Sequence, residues 1–387
     1  MKLPMITKLV AAALLVPGLA WAQSQGISKD QITLGSIQDL SGPLAGFGKQ
    51  LRMGMQLRVD EINEQGGING RKINLKFEDS GYDPKRAVLA AQKLVNQDKI
   101  FAMVGHIGTA QNVATFPVLF DKNVISFFPV TAAREMYEPH NRLKYSFAAT
   151  YYDQVRLGAP KLYKEKGAKK ACAIYQDDEF GLEVLRGAEA GLKSIGVDLA
   201  EKTSFKRAAT DFSSQVARMK SAGCDFVVLG TIIRETIGTI GESRKTGFNP
   251  TFLGSSAAYT DLIHKLGGKP MDGLYAMMTV QNPYLDEASQ PIRFWANKYK
   301  TKFNDDPTVF SVYGYSVIDA FIQAAQKAGP NLTTDSFIKS MDSITIPSDI
   351  FGGAPQTFTA TKRLGSDTSR MSQIQDGKWK VVSEYLK

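Results

Sequence analysis

The strongest constraint in this chain is an alternation of compact apolar runs with amphipathic segments. Short β-type runs stand at 32–37, 73–77, 101–104 and 124–128, and a second series stands at 171–175, 226–229, 252–253 and 274–278. Between them Met55, Val59 and Ile62 recur at helical spacing, and 87–95 repeats the pattern. Apolar spacing of 3.6 residues alternating with compact runs predicts βαβ units around a parallel sheet. A chain of 387 residues is long for one domain, at roughly 100–200 residues each. A break in composition near 145–152 separates the two series. The expected fold is therefore α/β, with two doubly wound parallel-sheet lobes. Ligands of such sheets bind beyond the carboxyl ends of the strands, where strand order reverses.

The first 22 residues read as an address rather than as part of a lobe. Lys2 and Lys8 precede an apolar stretch from Leu9 to Leu19, and Ala20-Trp21-Ala22 supplies small residues before Gln23. This is the layout of a cleavable signal peptide at 1–22. The apolar stretch is shorter than the roughly 20 residues of a membrane span. No cysteine follows the expected cleavage point to carry a lipid. The expectation is a soluble, exported protein, most simply a periplasmic one. Cleavage would also remove two of the charges that make the formal net charge +9. The remaining basic residues are dispersed, with no stripe of interleaved aromatics, so nucleic acid is not an expected partner. Cys172 and Cys224 each lie in a β-type run. They read either as a disulfide between neighbouring strands or as two buried thiols, and the thiol reading is favoured.

The strand-end loops carry the chemistry. The first, from Gln38 to Lys49, is glycine-rich, but Gly48-Lys49 is followed by Gln50, and Pro43 stands where a phosphate-binding loop needs glycine. A loop that admits a ligand to backbone amides, with Phe47 as an apolar wall, fits better. The third strand ends in Gly105-His106-Ile107-Gly108-Thr109, immediately before a helix-like stretch. Unpaired amides and the helix dipole make such a place an anion site, and Thr109 could equally serve as the N-cap. His106 has no partner motif and reads as structural. Phe128-Pro129-Val130-Thr131-Ala132 is a second loop of this kind. Asp177-Asp178-Glu179 reads as acids matched to a helix N-terminus rather than as a metal site. No nucleophile, metal or redox motif is present, so neither an enzyme nor a cofactor is expected.

These residues resemble the periplasmic solute-binding proteins of the Leu/Ile/Val-binding type, which serve ABC transporters. The resemblance rests on 40–48, on Ile62-Asn63-Glu64-Gln65-Gly66-Gly67-Ile68-Asn69-Gly70-Arg71, on 77–80 and 178–181, and on Asp376-Gly377-Lys378-Trp379. It implies a type I periplasmic-binding-protein-like fold, two lobes joined by three crossings that close on a ligand. On that plan lobe 1 is 24–147 plus 279–368, and lobe 2 is 148–278 plus 369–387. The partners implied are a small carboxylate and an ABC permease at the inner membrane, with the binding protein a monomer.

The resemblance also implies a site. Hydroxyls and amides around Ile107, Thr109, Val130, Thr131 and Ala132 would hold a carboxylate, and Phe47 would form an aromatic wall. The first crossing carries Tyr151 and Tyr152, and lobe 2 would contribute Phe180 and Ile233. Amino-acid binders of the family place an acid in the loop where this chain has Ser255-Ser256-Ala257-Ala258-Tyr259, and Ser256 stands at the acid's position. A buried ammonium without an anionic partner is costly. The favoured ligand is therefore an aromatic acid without an α-amino group, with Tyr259 as a further aromatic neighbour. An amino acid remains the alternative, with Asp153 or Asp178 supplying the charge. A sensory binding protein and an exported enzyme are the alternatives from other classes.

Overall fold

The computed structural model describes residues 24–387, so the expected signal peptide at 1–22 lies outside the described residues. The chain begins with β1 Gln31–Gln38, α1 Ala45–Glu64, β2 Lys72–Asp79, α2 Pro84–Asn96, β3 Ala102–Val104, α3 Thr109–Asp121, β4 Ile125–Phe127 and β5 Lys144–Tyr145. These strands make a five-stranded parallel sheet in the order β2-β1-β3-β4-β5. The order reverses between β1 and β3, at the ends of which the first and third loops emerge. Local chemistry fixes the helix starts: Asp83 accepts from Arg86 N–H at 2.8 Å, and Pro84 opens α2.

The chain then crosses to a second sheet through α4 Tyr151–Glu165, β6 Ala171–Gln176, α5 Glu179–Lys193, β7 Leu199–Phe205 and α6 Ser213–Ser221. It continues with β8 Phe226–Gly230, α7 Arg234–Lys245, β9 Thr251–Gly254, α8 Asp261–Gly267 and β10 Tyr275–Met278. A second crossing returns it to the first sheet with α9 Gln290–Phe303, α10 Val309–Ala328, α11 Thr334–Met341 and the short pair β11 Thr345–Ile346 and β12 Gln356–Thr357. The third crossing leads to β13 Arg370–Gln375 and β14 Lys378–Val381. The second sheet has the order β14-β13-β10-β9-β8-β6-β7.

The expected α/β architecture is present, with one difference. The second sheet is mixed, because β13 runs antiparallel to β10 and β14 antiparallel to β13. A two-residue turn at Asp376-Gly377, with φ of 51° and 70°, permits that hairpin. The returning helices complete the core of the first sheet. Phe101 and Phe127 meet Phe321 and Phe337 edge to face, with centroids 5.6–6.2 Å apart. Gly54 and Gly314 let α1 and α10 touch backbone to backbone, since a Cβ there would lie 2.0 Å from Ser311 O and 2.2 Å from Leu51 O.

Cys172 and Cys224 are joined in a disulfide, which corrects the thiol reading. Cys172 sits in β6 beside β8, and Cys224 precedes β8, so strand pairing brings their Cα atoms to 5.9 Å. None of the described helices is long and apolar enough to cross a membrane.

Candidate functional site

A cavity of about 590 Å³, its mouth included, lies between the two sheets at the carboxyl ends of their strands. Its floor is built by the loops after β3 and β4. A parallel bridge between Ile107 and Val130 extends the strand pairing beyond the sheet, and Val130 N–H donates to His106 O at 2.9 Å. The bridge brings Thr109 and Thr131 together, with their hydroxyl oxygens 2.6 Å apart. Both threonines are buried.

Gly108, not Thr109, caps α3; its φ of 93° suits glycine, and no side chain caps the helix. Thr109 is therefore the first helical residue, and its hydroxyl is free to face the cavity. The first amides of α3 lack intrahelical acceptors, and the helix dipole adds positive potential there. Buried amides hold this loop rigid. Asn112 Nδ2 donates to His106 O at 2.9 Å and Gly108 O at 2.7 Å, and Gln111 Nε2 donates to Tyr82 O at 2.7 Å. His106 is buried, and burial lowers its pKa to about 3, so the ring is neutral at any ordinary pH. It does not line the cavity.

Of the residues anticipated from sequence, Phe47, Ile107, Thr109, Val130, Thr131, Ala132, Tyr151, Phe180 and Ser256 line the cavity together. Phe47 stacks on Phe310 with centroids 3.6 Å apart and planes 13° from parallel. Tyr151 N–H donates to Ala132 O at 2.6 Å, and its ring meets Phe180 edge to face at 5.1 Å. Burial raises the Tyr151 phenol pKa, so it stays a neutral donor.

Three anticipated residues stand elsewhere. Tyr152 turns away and carries the Arg134 guanidinium 4.1 Å above its ring. Ile233, the residue before α7, is outside the lining, where its neighbour Ile232 stands instead. Tyr259 is also displaced. Its ring lies 5.1 Å from Trp379, and its hydroxyl accepts from Asn282 N–H at 3.0 Å.

Ser256 is fixed by one side chain. Gln154 Nε2 donates to its hydroxyl at 2.9 Å, and Ser256 N–H donates to Gln154 Oε1 at 2.8 Å. Asp178 and Asp153, the acids offered by the sequence as the alternative source of a charge for an amino-acid ligand, are engaged outside the cavity. Asp178 accepts from Arg207 at 2.7 Å, from Gln176 at 2.5 Å and from Gly181 N–H at 3.2 Å. Asp153 is held by Thr150 at 2.8 Å and by Arg156 at 3.0 Å. The cavity walls contain no charged side chain and seven aromatic rings.

Sequence reading missed Tyr82, Phe147, Thr279, Phe310 and Tyr313 among those walls. Tyr82 follows a strand end and was open to the same rule as the other loops. Thr279 and Tyr313 come from the second crossing and from α10, and nothing local marks them.

The sequence model of the family described as periplasmic binding protein matches residues 31–378. The Leu/Ile/Val-binding protein of Escherichia coli K12 is 26% identical over 325 residues, 84% of this chain and 85% of that one. Among solved structures, a branched-chain amino acid ABC transporter protein from Thermus thermophilus with bound valine has a TM-score of 0.83 at 17% identity, covering 93% of this chain and 97% of that one. A solute-binding protein of an ABC transporter from R. palustris, in complex with benzoate, has a TM-score of 0.78 at 15% identity, covering 91% and 95%.

Proposed function

The chain belongs to the periplasmic binding protein family, whose members bind substrates rather than transform them, and from that premise we propose that it captures a small aromatic carboxylate without an α-amino group for an ABC uptake system. One observation carries the ligand: the cavity offers hydroxyls and helix-start amides but no carboxylate, between seven aromatic rings. Hydrogen-bond donors can compensate a buried carboxylate. A buried ammonium would find only neutral acceptors, at a cost of several kcal/mol by general desolvation figures, on the order of 2–7 for even a neutral polar group. The aromatic walls favour a ring, through offset and edge-to-face packing. Benzoate bound to the R. palustris relative is in keeping with this reading, and the amino-acid binders among the relatives mark the alternative.

The lobes of this reading are 24–147 plus 279–368 and 148–278 plus 369–387. Membership of the two sheets supports them, since β1–β5 lie in one and β6–β10 with β13 and β14 in the other. Ligand entry closes the lobes by rotation at the crossings, and the closed form is presented to a permease at the inner membrane. Export by the segment 1–22 would place the protein, as a monomer, in the periplasm. Thr109, Thr131 and Ala132 hold the carboxylate, with Phe47, Tyr151 and Phe180 around the ring.

A thermal-shift screen of small carboxylates and amino acids, followed by calorimetry, tests the ligand. Benzoate-like or phenylacetate-like acids should raise the melting temperature, because only the native state binds them. Tight binding of leucine with no response to these acids would overturn the reading in favour of an amino-acid binder.

A further inference from the structure

Tyr82, between β2 and α2, holds a backbone conformation that aromatic residues avoid. Its φ is 61°, in the left-handed region that a bulky side chain enters only at a cost. Buried partners keep it there: Gln111 Nε2 donates to Tyr82 O at 2.7 Å, and Tyr82 N–H donates to Ser80 Oγ at 3.3 Å. Strain of this kind persists where the surroundings over-determine it, and it clusters at ligand clamps and switches.

In that conformation the side chain reaches three places at once. It lines the cavity. Its ring edge lies against Gly108, directly before Thr109, where an added Cβ would come within 3.1 Å of Cε2. On the other side the Arg207 guanidinium stands over the ring, 5.2 Å from its centroid, and Gln176 Nε2 donates to the hydroxyl at 3.4 Å. Tyr82 follows a strand of the first sheet, whereas Gln176 ends β6 and Arg207 follows β7 on the second. Arg207 is oriented from its own side, since Asp178 accepts from its Nη2 at 2.7 Å and its Nε at 3.3 Å. Only 29% of the Arg207 side chain and 8% of that of Asp178 is exposed, so the guanidinium is largely withdrawn from water, where attraction to a ring face is strongest. Neither Arg207 nor Asp178 lines the cavity.

We propose that Tyr82 couples ligand capture to closure, as a clasp whose ring rests on the start of α3 and is covered by Arg207 of the opposite lobe when the lobes meet. A ligand on the Thr109–Thr131 floor and the arginine then bear on one ring, and the ligand is retained for as long as the arginine stays. The guanidinium carries this contact; the hydrogen bond from Gln176 is long and adds little. The inference rests on the two-lobe closure reading above and adds a positioning residue, Arg207, that no ligand touches.

Small-angle scattering and stopped-flow release on the mature protein, with benzoate, phenylacetate and leucine as probes, test it. Arg207→Gln removes the guanidinium from outside the cavity and should speed probe release about three- to thirtyfold. Tyr82→Asn, which tolerates the left-handed backbone, should speed it at least as much, while Tyr82→Phe keeps the ring and should release near the parental rate. Adding Arg207→Gln to Tyr82→Asn should change release no further, a non-additivity that separate structural roles would not give. Parental release from Arg207→Gln, or effects that add, overturns the clasp, while compaction of the parent protein by a probe leaves closure standing. A parent protein that no probe compacts overturns both. Should Arg207→Gln fold poorly, the two Tyr82 variants decide by themselves: equal release from them overturns the clasp.

Discussion

Replacing Glu183 with Gln should weaken ligand binding although Glu183 touches no ligand. Glu183 lies in α5, on the second sheet, and is only 1% exposed. Arg134, from the 3-10 turn after β4 on the first sheet, reaches it with Nε at 3.0 Å and Nη2 at 2.7 Å, and its backbone N–H adds a contact at 3.4 Å. The guanidinium also covers the Tyr152 ring, and the hydrogen bonds to Glu183 raise its pKa well above the usual arginine value. The pair therefore ties the segment after β4 on the first sheet to α5 on the second. On the two-lobe reading, opening would break it.

Hydrogen bonds to charged groups contribute about 1.5–3 kcal/mol each, and Arg134 is partly exposed, so solvent recovers some of the loss. A net of about 2 kcal/mol on closure corresponds to roughly 30-fold in Kd. The change should fall mainly on dissociation, because the pair forms after encounter. Stopped-flow release and calorimetry on Glu183→Gln, at low and high salt, measure both. An unchanged dissociation rate together with a lowered melting temperature would refute the reasoning, since the pair would then act on folding and not on closure.

Four further outcomes follow from the same geometry. Ser256→Asp puts a carboxylate in the cavity beside Gln154; calorimetry should show aromatic acids bound about tenfold or more weakly and leucine binding gained, by like-charge repulsion and ammonium pairing. Thr109→Val keeps the shape but removes the hydroxyl, and should weaken carboxylate binding by about 1–3 kcal/mol in the same assay. Reducing the Cys172–Cys224 disulfide releases a loop with a sequence separation of 52, and urea unfolding should show a loss of up to about 4 kcal/mol from chain entropy. For Asp79, burial raises the pKa, but hydrogen bonds from Ser41, Leu40 N–H and Gly81 N–H and the charge of Arg86 outweigh it and hold the pKa at about 2. Its contribution is then present above the unfolded value of 3.8 and lost as pH falls through about 2. Asp79→Asn should cost about 1 kcal/mol at neutral pH after solvent screening, and should match the parent protein near pH 2 in urea unfolding.

The strands that build the site were legible because they are buried on both faces. β3 and β8 read as continuous apolar runs and β1, β4 and β6 as mostly apolar ones, which is what a covered parallel sheet requires. β7 was missed because it is an edge strand, Leu-Ala-Glu-Lys-Thr-Ser-Phe, of which only Thr203 and Phe205 are buried. β5 has two residues and carries no periodicity at all. The cysteine pair went the wrong way for a similar reason: both residues look like strand interior, and only the β6–β8 register shows that they meet.

The sequence by itself determined the alternation of elements and the strand-end loops. Those are local properties, written in spacing and residue type. Only the tertiary structure decided which residues line the cavity. A cavity between two sheets collects side chains from segments hundreds of positions apart, as Tyr82 and Tyr313 show. It turns Tyr152 outward onto Arg134 while its neighbour Tyr151 points in, because adjacent helical positions differ by about 100°. The tertiary structure also decided that Asp153 and Asp178 are engaged by arginines outside the cavity. A carboxylate's partner depends on distance in space, and no spacing along the chain encodes it.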